Sequence, residues 1–360
     1  MGAASPPLKM FRSCWRRSRQ HERNKWVWGV APMLPLQGHQ ARLESGHAII
    51  HRMDYVLAVD LGGTHVRVAL VRADGQMVAH RRVATRVEQG PHAITERIVA
   101  LLTEVQAALP GGQTLRGVGI GAPGPLDPTT GMIYAPPNLP GWDAFPLQQQ
   151  IAAATGLAVV LGNDANAGAL AEWRFGGGRG LHNLVYVTVS TGIGGGVIAD
   201  GQLLLGRLGA AGELGFIILD PTNGTVWEDL ASGTALGRAA SQAMQANPTS
   251  LLHQLATPAT VTAAHVAMAA AQGDGVAQQL MAREAHLLGL GFATILHLFS
   301  PELLLVGGGV ILNNPALLTE ARNIAYAHVK VPLYRDVPII PATLGEEVGV
   351  LGAAALALAL

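Results

Sequence analysis

The sequence has little cysteine and little lysine. Its 360 residues contain a single cysteine, Cys14, so no disulfide can form within the chain, which is typical of a reducing compartment. Lysine occurs three times, and only Lys330 lies beyond residue 52. The motif GxxxxGK[ST] is missing, which excludes a P-loop nucleotide site. Any bound phosphate would therefore have to be contacted by backbone N–H groups, a metal ion or arginine.

Long apolar runs and an excess of one charge are also missing. No apolar run reaches the ~20 residues of a membrane span, so we expect a cytoplasmic protein with no membrane partner. The net charge is zero, but residues 1–52 carry +7 and residues 53–360 carry −7. Because the larger part of the chain is mildly acidic, we expect no nucleic-acid partner.

Residues 1–52 differ from the rest of the chain. They are rich in arginine, hold three of the six tryptophans and show no helical or strand periodicity. They are a disordered tail, a targeting leader or upstream sequence translated from a wrongly chosen start. We favour the wrong start, because Met53 immediately precedes the first strand pattern, and we expect the segment to be dispensable. A DNA-binding helix pair ranks below these, since prolines and glycines interrupt it.

Glycine, in contrast, is abundant: the chain holds 45 glycines. The sequence DLGGT, Asp60 to Thr64, lies between two short apolar runs and predicts a strand, a tight turn and a second strand. Gly62 and Gly63 would let backbone N–H groups approach an anion, and Asp60 can hold a hydrated magnesium ion. The alternative is a plain hairpin in which Asp60 and Thr64 only cap the turn.

The strand and glycine-turn pattern recurs. STGIGGG at 190–196 follows a β-rich run and precedes another, and it contains Thr191 and Gly192. A third glycine turn, Gly307 to Gly309, follows the apolar run 303–306. The first two turns indicate an internal duplication with both copies facing one phosphate chain.

The remaining periodicity predicts a mixed α/β chain. Strands are predicted near 55–60, 66–72, 77–83, 116–121, 157–161, 183–190, 193–199, 303–306 and 337–341. Helices are predicted near 91–108, 146–155, 165–174, 233–246, 260–272, 275–299 and 351–360. The glycines at 176–178 and 180 predict a hinge between two domains.

Four polar residues are candidates for chemistry. Asp164 lies between a strand end and a helix start, where active-site groups of open α/β sheets collect, and a carboxylate there can accept a hydroxyl proton during phosphoryl transfer. It could equally cap the helix at 165, and the two roles are compatible. Glu213 and Glu228 could each accept hydrogen bonds from two sugar hydroxyls or be solvated loop acids. Asn138 could bind a polyol or form an Asx turn.

Taken in order, the motifs resemble the ROK family of sugar kinases and sugar-sensing repressors, within the actin-like ATPase superfamily. The resemblance runs from about Tyr55 to the C-terminus. It rests on DLGGT at 60–64, PGP at 123–125, PNLPGW at 137–142, NDANA at 163–167, STGIGGG at 190–196, GAAGELG at 209–215, EDLASG at 228–233 and LLLVGGGVI at 303–311.

The resemblance implies an α/β fold of two actin-like (ribonuclease H-like) domains with a cleft between them. The small domain would comprise 53–174 and 346–360, the large domain 175–345, and the expected assembly is a homodimer. ATP and magnesium would occupy the cleft, with a hexose beside Asp164 as general base. The implied sugar contacts are Asn138, Asn163, Asp164, Glu213 and Glu228. The implied ATP contacts are Asp60, which would also hold magnesium through water, Gly62, Gly63, Thr64, Thr191, Gly192, Gly307 and Gly308.

Two departures from the family pattern bear on metal and substrate. Family members usually follow GE[IL]G with a histidine that contacts sugar and zinc, but this chain has Phe216 there. Family members then carry a cysteine-rich zinc loop just before the glutamate that corresponds to Glu228. In this chain the segment 217–226 is short and contains no cysteine, so we expect no zinc site. The lost sugar contact leaves mannose, fructose and N-acetylhexosamines open beside glucose.

The leading hypothesis is an ATP-dependent hexose kinase of the glucokinase type. The alternative is a non-catalytic sugar-sensing repressor relative, which we rank lower because residues 1–52 supply no winged helix and both phosphate turns are intact. A different actin-like enzyme, such as an acyl-phosphate kinase, is a third possibility against which the hexose-kinase motifs argue.

Overall fold

The structure is a computed structural model that describes residues 54–207 and 209–360. The interpretations of residues 1–52 and of Met53 as the start lie outside the described residues. None of the described helices combines the length and the hydropathy that a bilayer crossing needs.

Fourteen strands lie in the described ranges. In chain order they are β1 (Asp54–Leu61), β2 (His65–Arg72), β3 (Met77–Ala84), β4 (Thr114–Ala122), β5 (Leu126–Asp127), β6 (Met132–Ile133), β7 (Val159–Asn163), β8 (Leu184–Val189), β9 (Ile193–Ala199), β10 (Gln202–Leu203), β11 (Ile218–Asp220), β12 (Thr225–Val226), β13 (Leu303–Gly307) and β14 (Ile339–Pro341).

Eleven α-helices accompany the strands in the described ranges. They are α1 (Gly90–Gln106), α2 (Leu147–Thr155), α3 (Asp164–Arg174), α4 (Trp227–Ala231), α5 (Gly233–Ala246), α6 (Leu252–Leu255), α7 (Ala263–Ala271), α8 (Gly275–Phe299), α9 (Gly309–Leu312), α10 (Pro315–His328) and α11 (Val348–Ala357).

Two five-stranded sheets share one topology. The first has the order β3-β2-β1-β4-β7 and the second β10-β9-β8-β13-β14. In each, three strands form an antiparallel meander, and the meander's first strand pairs in parallel with a later strand, β4 with β1 and β13 with β8. The repeated order confirms the α/β fold with two similar halves that the glycine turns and the family resemblance predicted.

Burial on both faces explains the apolar strands. In β1, Val56, Leu57, Ala58 and Val59 are all fully buried. Leu57 and Val59 belong to a core that α1 closes, while Val56 and Ala58 pack in a second cluster with α11. A strand covered on both faces has a continuous apolar run, which is why β1 lacks the alternation of a half-exposed strand.

Helices α3 and α11 pack closely against each other and against the sheets. A side chain at Gly352 would place its Cβ 2.4 Å from the Ala167 carbonyl oxygen, and one at Gly196 would lie 2.6 Å from Ala169 Cβ. These small residues let α3 contact both α11 and the second sheet. Helix α3 is thereby held between α11, which packs on β1 and β4 of the first sheet, and β9 of the second sheet.

Most predicted elements agree with the structure to within a few residues. Helix α10 was missed, although Pro315 at its first turn and the buried Leu317, Leu318 and Ala321 form a helix-like pattern. The C-terminal helix starts at Val348 rather than at 351. The predicted domain boundaries at 174/175 and 345/346 stay a prediction.

Candidate active site

The direction of the strands places most of the predicted site residues close together. Because β1, β4 and β7 run in parallel, their carboxyl ends meet at one edge of the first sheet, where ligands bind in open α/β folds. A cavity of about 620 Å³ lies there, and β8 ends at it from the second sheet. The predicted residues that line it are Gly62, Gly63, Thr64, Asn138, Asn163, Asp164, Thr191, Gly192, Glu213 and Glu228.

The first glycine turn lies directly against Asn138. A Cβ at Gly63 would be 2.8 Å from the Asn138 carbonyl oxygen, so only glycine permits this approach. The Gly62 N–H closes the turn by donating to the His65 carbonyl at 3.0 Å. Within the described residues, the amides of Gly63 and Thr64 donate to no protein acceptor. Two unpaired N–H groups at a glycine turn are suited to bind a phosphate oxygen.

The second glycine turn holds Glu228. The Ile193 N–H donates to Glu228 Oε2 at 2.8 Å, and a Cβ at Gly192 would lie 2.4 Å from the same oxygen. Helix α5 begins beside this turn, where the Gly233 N–H donates to the Ser190 carbonyl at 2.8 Å. The positive end of the α5 dipole therefore favours negative charge at the turn.

Asp164 is the first residue of α3, and its neighbour Asn163 is the cap. Asn163 Oδ1 accepts the N–H groups of Ala165 at 2.9 Å and Asn166 at 3.2 Å. The alternative that Asp164 caps the helix was therefore wrong, because the Asn163 side chain already occupies that position. Asp164 Oδ1 accepts the adjacent Ala165 N–H at 2.8 Å, and its side chain lines the cavity.

Removal from bulk water raises the pKa values of Asp164, Asp60 and Glu213, and neighbouring negative charge adds to the shift of Asp164 and of Glu213. The Asp164 side chain is exposed to the open cavity, but the protein that surrounds it still limits its contact with bulk water; this desolvation, then the nearby charges of Asp60 and Glu213, raise the pKa of Asp164 to about 6. Burial also raises the pKa of Asp60, although the Arg67 guanidinium, 2.8 Å away, opposes the shift. The pKa of Glu213 is raised by burial and by the charge of Glu228. A carboxylate that titrates near neutrality is suited to accept a proton.

No complete protein metal site is found in the described ranges: no three His, Cys, Asp or Glu side chains are grouped to hold an ion. A metal at Asp60 would need water and phosphate oxygens to complete its shell, which is how magnesium commonly binds. Phe216 lies at the position where the family resemblance implies a histidine, and its side chain is 61% exposed. The expected absence of zinc stays a prediction.

A second cavity of about 1000 Å³ adjoins the first and shares Ser190 and Thr191 with it. Gly308 does not line it but packs on the Val189 backbone, with a φ of 87° and only 2.2 Å between a built Cβ and the Val189 carbonyl oxygen. Gly307 likewise packs on Tyr186. Gly309 is the glycine of the third turn that lines this cavity.

Two further residues shape the site. Arg67 holds Asp60, and its only sequence signal is a charge within the otherwise apolar run of β2. Asn166 is buried in α3, and its Nδ2 donates to the Gly209 carbonyl at 3.3 Å. It thereby contacts the segment that leads to Glu213, and its signal was its place in NDANA. Neither was predicted to belong to the site.

Comparison with known proteins agrees with this arrangement. The sequence model of the ROK family matches residues 56–359. The chain belongs to the ROK family. A glucokinase of Thermotoga maritima is 36% identical over 310 residues, which cover 84% of this chain and 96% of that protein. An N-acetylmannosamine kinase of Escherichia coli O157:H7 is 33% identical over 84% of this chain and 97% of its own.

Solved ROK structures share the fold. A ROK family glucokinase from Streptomyces griseus, in complex with glucose and AMPPNP, superposes with a TM-score of 0.71 at 33% identity, over 83% of this chain and 98% of its own. A putative xylose repressor of Caldicellulosiruptor sp., 29% identical over 84% of this chain and 77% of its own, shows that ROK relatives include regulators. The glucokinase relatives and structures support a sugar kinase, while the range of relatives leaves its substrate open.

Proposed function

We propose that this ROK sugar kinase transfers the γ-phosphoryl group of ATP to the 6-hydroxyl of a hexose, with glucose as the leading acceptor. The observation that carries the proposal is the cavity in which Asp164, with a pKa of about 6, lies beside two glycine turns, the first of which has the unpaired amides of Gly63 and Thr64. A base that titrates near neutral pH and a phosphate-binding backbone are the two components that phosphoryl transfer to an alcohol requires.

The proposed reaction uses each carboxylate differently. Asp164 accepts the hydroxyl proton as the hydroxyl oxygen forms its bond to phosphorus and the bond between that phosphorus and the β,γ-bridging oxygen breaks, which releases ADP. Glu213 and Glu228 accept hydrogen bonds from other sugar hydroxyls, and Glu228 can do so with Oε1 because Oε2 is engaged by Ile193. Asn138 and the amide nitrogen of Asn163 complete the sugar contacts.

The phosphates would meet the glycine turns. Gly63 and Thr64 of the first turn present backbone donors to the cavity, and Thr191 and Gly192 of the second turn line the same cavity. We place the nucleoside in the adjoining cavity of about 1000 Å³, which shares Ser190 and Thr191 with the first. Bound magnesium would neutralise phosphate charge; Asp60, which pairs with Arg67 and does not itself line the cavity, would hold such an ion through water.

The test is a coupled assay of ADP release over a panel of glucose, mannose, fructose and N-acetylmannosamine, with the product's phosphorylated position read by NMR. We expect magnesium-dependent turnover and a 6-phosphate. The proposal is wrong if no hexose stimulates ADP release while calorimetry still detects sugar binding, since that result identifies a sugar sensor.

A second acceptor is favoured by one observation. Phe216 replaces a histidine that the family resemblance assigns to the sugar, so one hydroxyl contact expected for glucose is missing. An N-acetylmannosamine kinase at 33% identity shows that related chains act on an N-acetylhexosamine. A kcat/KM for mannose or N-acetylmannosamine above that for glucose would identify this alternative.

We further propose a homodimer, on the family resemblance, and a cytoplasmic location, because ATP is the phosphoryl donor. Light scattering during gel filtration measures the assembly directly. A mass of one chain at micromolar concentration would contradict the dimer.

A further inference from the structure

Two segments connect the two sheets. The chain leaves α3 and enters β8 through residues 175–183, and it returns from β14 to α11 through residues 342–347. The side chain of Glu172, in the last turn of α3, is fully buried and touches both segments. Its role is not part of the sugar or phosphate contacts described above.

Glu172 accepts four hydrogen bonds, from both connections. From the first, the Gly177 N–H donates to Oε2 at 3.0 Å. From the second, the Thr343 N–H and the Leu344 N–H donate to Oε1 at 2.7 and 2.9 Å, and Thr343 Oγ1 donates to Oε2 at 2.8 Å. Among the described residues, no arginine, lysine or histidine pairs with this carboxylate.

A buried carboxylate with uncharged donors binds them strongly. Hydrogen bonds to an ionised acceptor are shorter and about twice as strong as neutral ones. The four donors compensate for the burial of the charge, and each would be left unpaired if the carboxylate were removed. We call these four hydrogen bonds the tie. The tie requires an acceptor with two oxygens at position 172.

The first connection is shaped to fit around this carboxylate. A Cβ at Gly176 would lie 2.1 Å from Glu172 Oε2, and a Cβ at Gly177 would lie 3.0 Å from Thr343 Cγ2. Any larger residue at 176 would displace the carboxylate. The glycine run that predicted a hinge thus allows both connections to meet at one side chain.

The same helix carries the proposed general base. Asp164 begins α3 at the cavity, and Glu172 lies eight residues later, about 12 Å along the helix axis. Close packing of Gly352 on Ala167, at 2.4 Å for a built Cβ, limits movement of α3 against α11. A shift at the Glu172 end is therefore transmitted along α3 to Asp164.

We infer that Glu172 is a positioning residue. By binding both connections to α3, it keeps the two glycine turns and Asp164 in fixed relative positions when substrates bind. This inference rests on the proposed kinase reaction. Hinge positions of closing enzymes affect kcat and KM together, and a misplacement of about 1 Å can lower a rate by ~10²-fold.

The first arm of the test needs no ligand. Hydrogen exchange of the full chain, read on peptides that cover 176–180 and 341–346, reports the tie directly. We expect slow exchange in the unsubstituted protein and at least tenfold faster exchange in Glu172→Gln, whose amide NH2 replaces one acceptor oxygen. Fast exchange of both peptides in the unsubstituted protein would overturn the inference.

The second arm compares Thr343→Ala with Thr343→Ser, because Thr343 is exposed and its replacement should not prevent folding even if Glu172→Gln fails to fold. The alanine removes one donor to Glu172, and the serine restores it. We expect about tenfold lower kcat/KM for Thr343→Ala, with both kcat and KM changed, and recovery in Thr343→Ser. A lowered melting temperature with unchanged kcat and KM would show a purely structural role and overturn the inference.

Glu302 offers a matched control. Its Oε2 accepts the N–H groups of His182 and Asn183, both at 2.8 Å, at the end of the first connection next to β8, and these hydrogen bonds involve neither α3 nor the second connection. Glu302→Gln should therefore leave kcat and KM unchanged, and an equal loss in this variant would contradict the hinge. If the unsubstituted protein phosphorylates no hexose, the proposed function fails. The hydrogen-exchange measurement then tests by itself whether Glu172 holds the two connections.

Discussion

Asp164→Asn is the substitution that tests the general base most directly. The amide keeps the shape of the side chain but cannot accept a proton. Because Asn163 holds the capping bonds to Ala165 and Asn166, the start of α3 should be unaffected. We expect kcat to fall by ~10²–10⁴-fold, with a far smaller change in the sugar KM.

The pH dependence gives the magnitude for the unsubstituted enzyme. With a pKa of about 6, Asp164 is ionised to ~90% at pH 7 and to ~10% at pH 5. The kcat/KM should therefore fall about ninefold between these pH values, because only the ionised form accepts the proton. A carboxylate with an ordinary pKa of 3.8 would lose only ~6% over the same range.

As pH rises, the contribution of Asp164 to the free energy of unfolding should fall while activity rises. Folding raises the pKa of Asp164, so the folded state loses stability as pH rises from 3.8 through about 6. The full shift corresponds to ~3 kcal/mol, and screening by water in the open cavity reduces it to about 1 kcal/mol. An asparagine has no such pH-dependent cost. At pH 7 the melting temperature of Asp164→Asn should therefore be about 2 °C above that of the unsubstituted protein, and at pH 4 the two should be equal.

The assays are coupled ADP release from pH 5 to 8 and calorimetric melting. Asp274 is the matched control, an Asp that caps α8 and accepts the N–H groups of Ala277 at 2.8 Å and Leu251 at 2.7 Å. Burial raises the pKa of Asp274, but these hydrogen bonds outweigh it and lower the pKa. Asp274→Asn should lower the melting temperature and leave kcat unchanged. A kcat for Asp164→Asn within threefold of the unsubstituted value would refute the reasoning, with Glu213 the next candidate.

Three further predictions concern the glycine turn, the metal and a buried acid. Gly192→Ala would place Cβ 2.4 Å from Glu228 Oε2, so the sugar KM should rise about tenfold, whereas Gly275→Ala, where no atom lies within 4 Å of a built Cβ, should leave steady-state kinetics unchanged. Equal KM values in both variants would contradict the placement of Glu228. Because Phe216 stands where the family resemblance places a zinc ligand, elemental analysis of untagged protein should find no stoichiometric zinc, and one zinc per chain would disprove this. Glu284 is buried without a hydrogen-bond partner in the described part of the chain, and burial raises its pKa to about 8. The melting temperature should therefore fall as pH rises from 5 to 8.5, and Glu284→Gln should remove much of that fall in calorimetry, whereas an unchanged pH slope would speak against it.

Local sequence determined the elements that carry the site. DLGGT and STGIGGG each combine a short apolar run with a glycine turn, and such hairpins depend on residues that are neighbours in the chain. Asp164 at the start of α3 follows from the same local pattern. The ordered motifs also indicated the ROK family and hence two similar sheets, which the structure and its relatives confirm.

Tertiary structure alone decided how these residues interact. Glu228 is oriented by Ile193, 35 positions away, and the pKa of Asp164 depends on the charge of Asp60 and of Glu213. Glu172 meets Thr343 across 171 positions. Local propensity acts over a few residues, whereas burial and the distance between charges depend on which remote segments pack together. The sequence therefore determined the strands, turns and helix start that carry the site residues, and the packing of the two sheets decided which of those residues line the cavity, their pKa values and their hydrogen-bond partners.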